Sequence, residues 1–190
     1  MNQLVIEELP YAVDSAPLFE QLLDLQLPVY LDSSRPYSAR GRYDIFSAEP
    51  VTTLSNSSLL AAPGHANGKF FQEVDNALGE QTPSIDNDYH LPFVGGALGY
   101  FGYDLGRGLE RLPQHAQQDL LIPDSCVGIY TWAVIIDHRQ QRAMLVAHPQ
   151  VDRGLLKEVR SRLGGQVNRQ TTPFSLSSAF QSNMSRETYN

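Results

Sequence analysis

Residues 127–147 read VGIYTWAVIIDHRQQRAMLVA, and this stretch decides the fold class. Val127–Ile136 is apolar at odd and even positions alike, as in a central strand covered on both faces. Arg142–Ala147 is a second apolar run, and the polar Asp137–Gln141 between them is short enough to be a hairpin turn. A hairpin makes the pairing antiparallel. Downstream, Leu155, Leu156, Val159 and Leu163 recur at helical spacing, with Asp152 as N-cap and Gly164 and Gly165 as the stop. Upstream, Phe70, Phe71, Val74, Ala77 and Leu78 form another helical stripe, expected to end at Gly79. A first helix is expected after Ser15 as N-cap, with Pro17 in its first turn and Leu18, Phe19, Leu22 and Leu23 on one side. Leu4–Leu9, Val29–Asp32, Arg42–Ala48 and Phe174–Phe180 read as further strands. The expected class is α+β: mainly antiparallel sheets with helices packed on them.

The 190 residues, 42% hydrophobic and 18% charged, suffice for one domain, at most two small ones, with a proper core. A net charge of −7 argues against a sequence-independent nucleic-acid binder and against docking on anionic lipid. The single cysteine, Cys126, excludes an internal disulfide framework and any multi-thiolate metal site. No run approaches the roughly 18–20 apolar residues of a membrane span. The opening MNQLVIEELP lacks the basic and apolar regions of a secretory signal, so a cytoplasmic protein is expected. Residues 185–189, SRETY, look like a helix start with no helix behind it, as in a chain cut from a longer one.

The catalytic inventory is thin. His65, His90, His115, His138 and His148 are scattered without metal-ligand spacing and read as solvated loop histidines. Cys126 has no adjacent cation and reads as a buried, inert thiol. Neither a G-x-S-x-G elbow nor a P-loop is present. Two segments stand out. In 95–107, GGALGYFGYDLGR, the glycines imply tightly packed crossing strands or a ligand resting on bare backbone. In 31–44, LDSSRPYSARGRYD, a polar loop enters a strand on which Arg42 and Asp44 share a face, roughly 6.5–7 Å apart. That pair can hold the two ends of a zwitterionic amino acid; the alternative is an exposed loop with a weak ion pair.

Together, residues 31–33 (LDS), 42–50 (RYDIFSAEP), 92–107 (PFVGGALGYFGYDLGR) and 121–138 (LIPDSCVGIYTWAVIIDH) resemble the N-terminal region of the aminodeoxychorismate synthase component I family. Residues 181–189 (QSNMSRETY) are similar to the junction where that family's chorismate-binding region begins. The resemblance implies the N-terminal part of an anthranilate synthase component I-like fold over residues 1–180, with residues 181–190 opening the chorismate-binding region. It implies a whole enzyme that aminates chorismate to 4-amino-4-deoxychorismate, the precursor of p-aminobenzoate in folate synthesis. Ammonia comes from a glutamine amidotransferase partner, and magnesium is required. Catalytic and magnesium-binding carboxylates belong to the C-terminal region, so no catalytic or metal residue falls in this chain, which is expected to be inactive alone. In the sister branch, anthranilate synthase component I, the equivalent loop and strand bind tryptophan. The matching positions are Ser33, Arg42, Tyr43 and Asp44, although residues 30–33 read YLDS where that branch has leucine-leucine-glutamate-serine. A tryptophan-binding regulatory module and a docking surface for the amidotransferase are the alternative roles.

Overall fold

The computed structural model describes residues 3–35, 38–56, 66–108, 110, 122–165, 175–182 and 184–189. The apolar run that opened the reading is two strands, not one: β6, Ser125–Tyr130, and β7, Trp132–Asp137. They lie in different sheets, and the chain crosses between them at Thr131. Each half is apolar on both sides because each is central to its own sheet, which is why periodicity merged them.

The first sheet has five strands in the order β1-β8-β7-β3-β2, where β1 is Val5–Leu9, β2 Val29–Leu31, β3 Tyr43–Ser47 and β8 Arg142–Ala147. The hairpin expected between β7 and β8 is present, with Trp132 opposite Ala147 and Asp137 opposite Arg142. One face carries Phe46, Trp132, Val134, Ile136, Ala143, Leu145 and Ala147, packed against Leu22 and against Leu156, Val159 and Leu163 of α3, Arg153–Leu163. The other face carries Ile135, Met144 and Val146, covered by Leu91, Phe93 and Val94 from the loop ahead of the glycine segment. Covering on both sides explains why every residue of β7 is buried.

The second sheet has the order β4-β6-β5, with β4 Thr52–Asn56 and β5 Gly96–Phe101. Phe70 and Val74 of α2, Ala66–Gln81, pack on it with Leu105 and Val127. β4 has few apolar residues and was not legible as a strand. The glycine segment is a strand crossing close to another: a side chain at Gly99, φ +154°, would run into the carbonyl oxygen of Cys126. Cys126 itself lies within β6 and is half-buried rather than buried.

Helix signals are kept in part. Asp152 caps α3 by accepting from the Leu155 amide at 2.8 Å, and Gly164 closes it. The first helix, α1, is only Ala16–Glu20. α2 does not stop at Gly79 but continues to Gln81, since packing of its apolar face outweighs the small glycine cost. Residues 175–180 form no strand, and Phe174 lies outside the described residues. Residues 186–189 form a single helical turn, α4.

Candidate functional site

The loop-and-strand segment singled out from sequence lies at the start of β3. Asp44 is buried on the helix-covered face, opposite Ile136 of β7. Its carboxylate is a hub. Oδ1 accepts from the Ser33 amide at 2.9 Å and the Ser33 hydroxyl at 2.8 Å. Oδ2 accepts from the Ser15 hydroxyl at 2.5 Å and from Nε2 of His138 at 2.8 Å. With Nε2 carrying a proton, His138 Nδ1 accepts from the Tyr11 hydroxyl at 3.1 Å. Ser15 in turn accepts from the Tyr30 hydroxyl at 2.7 Å. Burial on its own raises the Asp44 carboxyl, but the hydrogen bonds from Ser15, His138 and Ser33 outweigh it and hold it below its ordinary value.

Beside this hub lies a cavity of about 270 Å³ lined by Asp14, Ser15, Tyr30, Asp32, Ser34, Arg35 and Asp44. Three carboxylates face one guanidinium, and Arg35 is turned toward the carbonyl oxygens of Gly41 and Ala39, at 2.6 and 3.3 Å. Such a lining favours an ammonium group over a carboxylate. The loop needs a glycine at 41, where any Cβ would strike the carbonyl oxygen of Ser33.

Ser33 and Asp44 are therefore brought together, while Arg42 and Tyr43 are not part of that cavity. The expectation that Arg42 and Asp44 share a face fails because Arg42 precedes the strand, where alternation does not hold it. Its guanidinium lies 4.5 Å from the Tyr43 ring centroid and donates to both oxygens of Asp137, at 2.8 to 3.3 Å. Asp137 also accepts from the Arg139 and Gln140 amides. Against the effect of burial, Arg42 and these amides hold the Asp137 carboxyl below its usual range. Arg42 and Tyr43 line a separate cavity of about 520 Å³ with Glu8, Tyr89, His90 and Arg142.

Sequence reasoning missed Tyr11, Ser15, Tyr30 and His138. Ser15 does stand at the start of α1, but its hydroxyl makes no cap bond and serves Asp44 instead. His138 is no solvated loop histidine: its side chain is buried, and the β3–β7 pairing brings it beside Asp44. His148 is likewise buried, its Nε2 within 3.2 Å of the Pro83 carbonyl oxygen; His90 is exposed, and His65 and His115 lie outside the described residues. The β3–β7 pairing was the missing signal, because it joins segments 94 residues apart.

Residues 28–190 match the family model of the chorismate binding enzymes. The chain belongs to that family. Among curated members, it is 36% identical over 183 residues to aminodeoxychorismate synthase component 1 of Escherichia coli (strain K12), a match covering 90% of this chain and 38% of that protein. It is 38% identical over 165 residues to the protein of the same name from Salmonella typhimurium, covering 83% of this chain and 34% of that one. The chain thus spans less than two fifths of the length of these chorismate-family relatives. A crystal structure of anthranilate synthase component I from Streptococcus pneumoniae TIGR4 shares the fold, with a TM-score of 0.50 at 21% identity over 82% of this chain and 35% of that one. The resemblance read from the sequence and the α+β class both hold. Among the described residues, no three His, Cys, Asp or Glu side chains are grouped to hold a metal ion, and no helix is long and apolar enough to cross a membrane.

Proposed function

We propose that this chain forms the N-terminal part of an aminodeoxychorismate synthase component I, the enzyme that aminates chorismate to 4-amino-4-deoxychorismate for p-aminobenzoate and folate synthesis. The observation that carries this reading is the 36% identity to the Escherichia coli protein across 90% of this chain. In this reading the amination chemistry, and the magnesium ion it uses, belong to the part of the relatives' length that this chain does not span. Residues 1–180 are scaffold, and residues 181–190 open the chorismate-binding region. No catalytic step is assigned to the described residues. In this reading ammonia comes from a glutamine amidotransferase that docks on the assembled enzyme, and a role in folate synthesis supports a cytoplasmic location.

The test is amination of chorismate with ammonia and magnesium. The 190-residue chain alone is expected to give no product, while its fusion to the remaining length of the Escherichia coli relative restores turnover. Product from the chain alone, or a dead fusion that is nonetheless folded, overturns the assignment.

The acidic cavity favours a second, compatible role: a regulatory site for an aromatic amino acid such as tryptophan. Asp44, braced by Ser33, faces the ammonium, and Arg35 is the cation available for the carboxylate. Arg42 and Tyr43, named from sequence for this role, lie outside the cavity. Calorimetry with tryptophan on the fused enzyme tests the role; binding that Ser33→Ala and Arg35→Ala leave unchanged, or no heat at millimolar ligand, removes it.

A further inference from the structure

The β3–β7 pair holds two buried aspartates that are compensated in different ways. Asp137 ends β7, and the amide of His138 after it donates to the Arg42 carbonyl oxygen at 2.9 Å. On the side of the larger cavity, Asp137 is neutralised by the Arg42 guanidinium at 2.8 Å. On the side of the acidic cavity, Asp44 meets only donors without a charge of their own: the Ser33 amide and hydroxyl, the Ser15 hydroxyl and, as a neutral imidazole, His138. Among the described residues no lysine or arginine pairs with Asp44. Arg35, in the same cavity, directs its donors to the carbonyl oxygens of Gly41 and Ala39. A buried charge normally has a counter-ion. Neutral donors fill the lone-pair sites of Asp44 and favour its ionised form, but they leave its charge uncancelled.

We propose that His138 is a positioning residue for the acidic cavity: as a neutral donor it holds Asp44 ionised, fixed and without a counter-ion, so that the cavity selects ligands whose ammonium group supplies the missing positive charge. This inference rests on the reading of that cavity as an aromatic amino-acid site. Because its acceptor sites are already filled, Asp44 acts on the ammonium through its charge rather than by accepting a hydrogen bond from it. The specificity therefore lies one residue behind the cavity wall, in the group that decides whether the charge stays uncancelled.

The surroundings of His138 suit this task. Its side chain is 2% exposed, with Nε2 2.8 Å from Asp44 Oδ2 and Nδ1 3.1 Å from the Tyr11 hydroxyl. The Tyr11 ring packs edge-on against the imidazole, 5.8 Å between centroids. Tyr11 thus occupies the nitrogen at which a second proton would make the ring a cation. A cationic ring would cancel Asp44 as Arg42 cancels Asp137, and the attraction for a ligand's ammonium would go with it. Among the described residues, Asp44 from β3 and Tyr11 from the segment ahead of α1 are the titratable groups bonded to the ring, and the neighbouring Arg42 guanidinium is turned to Asp137. Side-chain reach separates the replacements. Glutamine carries its amide nitrogen where the imidazole has Nε2, whereas asparagine, one methylene shorter, reaches only as far as Nδ1.

The test compares tryptophan with indolepropionate, the same molecule without its ammonium group, by calorimetry at neutral pH on the fused enzyme. The readout is the advantage of tryptophan over indolepropionate, because a general loosening of the cavity weakens both ligands alike. His138→Gln is expected to keep that advantage within about twofold and His138→Asn to reduce it at least about tenfold, as for the loss of a hydrogen bond to a charged group. Nitrogen chemical shifts of the His138 ring in the wild-type, tryptophan-bound enzyme test the same point without any variant having to fold. The ring is expected to be neutral, with its proton on Nε2. An imidazolium, or a neutral ring protonated on Nδ1, overturns the inference. So does an advantage that His138→Asn leaves intact or that a folded His138→Gln abolishes. A wild type that binds both ligands equally keeps the site and overturns the inference alone; a wild type that binds neither removes the amino-acid site and the inference with it.

Discussion

The two sheets share one continuous apolar run, which gives each its central strand, and are protected differently. The five-stranded sheet is covered on one face by α3 and Leu22 and on the other by residues 91–94. The three-stranded sheet is covered by α2, and its strand β5 ends in three exposed residues. The first sheet places a buried polar hub at the start of β3; in the second, among the described residues, β5 pairs with β6 alone. The division teaches where each half gets its stability: the first from burial on two sides, the second from one helix and a shared strand crossing.

The largest expected effects come from the same substitution made in both halves. Phe46→Ala, in the five-stranded core against Phe19 and Tyr30, is expected to cost close to 5 kcal/mol, and Phe70→Ala, on the inner face of α2, closer to 3 kcal/mol. Both rings are buried, but the neighbours of Phe70 include Phe71 and Phe101, which are half exposed and can collapse into the gap. Urea unfolding at neutral pH measures both. Equal costs would break the contrast between the sheets.

Next comes Asp44→Asn. An amide in place of the carboxylate sets an N–H₂ against the donors of Ser33 or of Ser15 and His138, and is expected to cost about 2–3 kcal/mol at pH 7. The pH dependence has a definite sign. The folded carboxyl is held below its ordinary value, so its contribution is complete above the unfolded value near 4 and is lost as pH falls through the folded one. The gap between wild type and Asp44→Asn should therefore be open above about pH 4 and begin to close as pH falls below it. A gap that widens in acid would show that the hub is held by something other than the ionised carboxylate.

How much of this was legible depends on sequence distance. The β7–β8 hairpin, α3 with its Asp152 cap, and β1 to β3 follow from local periodicity and turn chemistry. The sheet crossing at Thr131 does not, because a run apolar on both faces looks the same whether it serves one sheet or two. Asp44 and Ser33 were found as polar residues where a loop enters a strand. Their partners Ser15 and His138 were read for local roles, a helix cap and a turn, because only the β3–β7 register reveals the shared carboxylate. Arg42 shows the opposite error: period-two alternation was extended one residue past the strand's end.

Smaller effects compare the helices that cover each sheet. Asp152→Ala removes the acceptor for the Leu155 amide at the start of α3, and is expected to cost about 1 kcal/mol. Hydrogen exchange should quicken first at that end of α3, since the other end is anchored by Leu163 in the core and by Arg162, which bonds both Glu158 and Asp24.

The mirror experiment on the second sheet is Gly79→Ala, the smallest effect and the one of opposite sign. Gly79 lies inside α2, two residues before its end, and a Cβ there would meet nothing within 4 Å. Alanine restricts the unfolded chain more than glycine does and fits the helical backbone without strain, so a gain of about 0.5–1 kcal/mol is expected. That gain belongs to the half with the thinner cover, where stability is limited by how well α2 holds to β4, β5 and β6. Urea unfolding of Gly79→Ala, alone and with Phe70→Ala, reads the coupling. If α2 and its sheet unfold as a unit with the first sheet, the alanine raises the midpoint of the single transition. If the three-stranded half opens first, the gain instead appears as slower exchange confined to α2 and β6, while the global midpoint stays where it was.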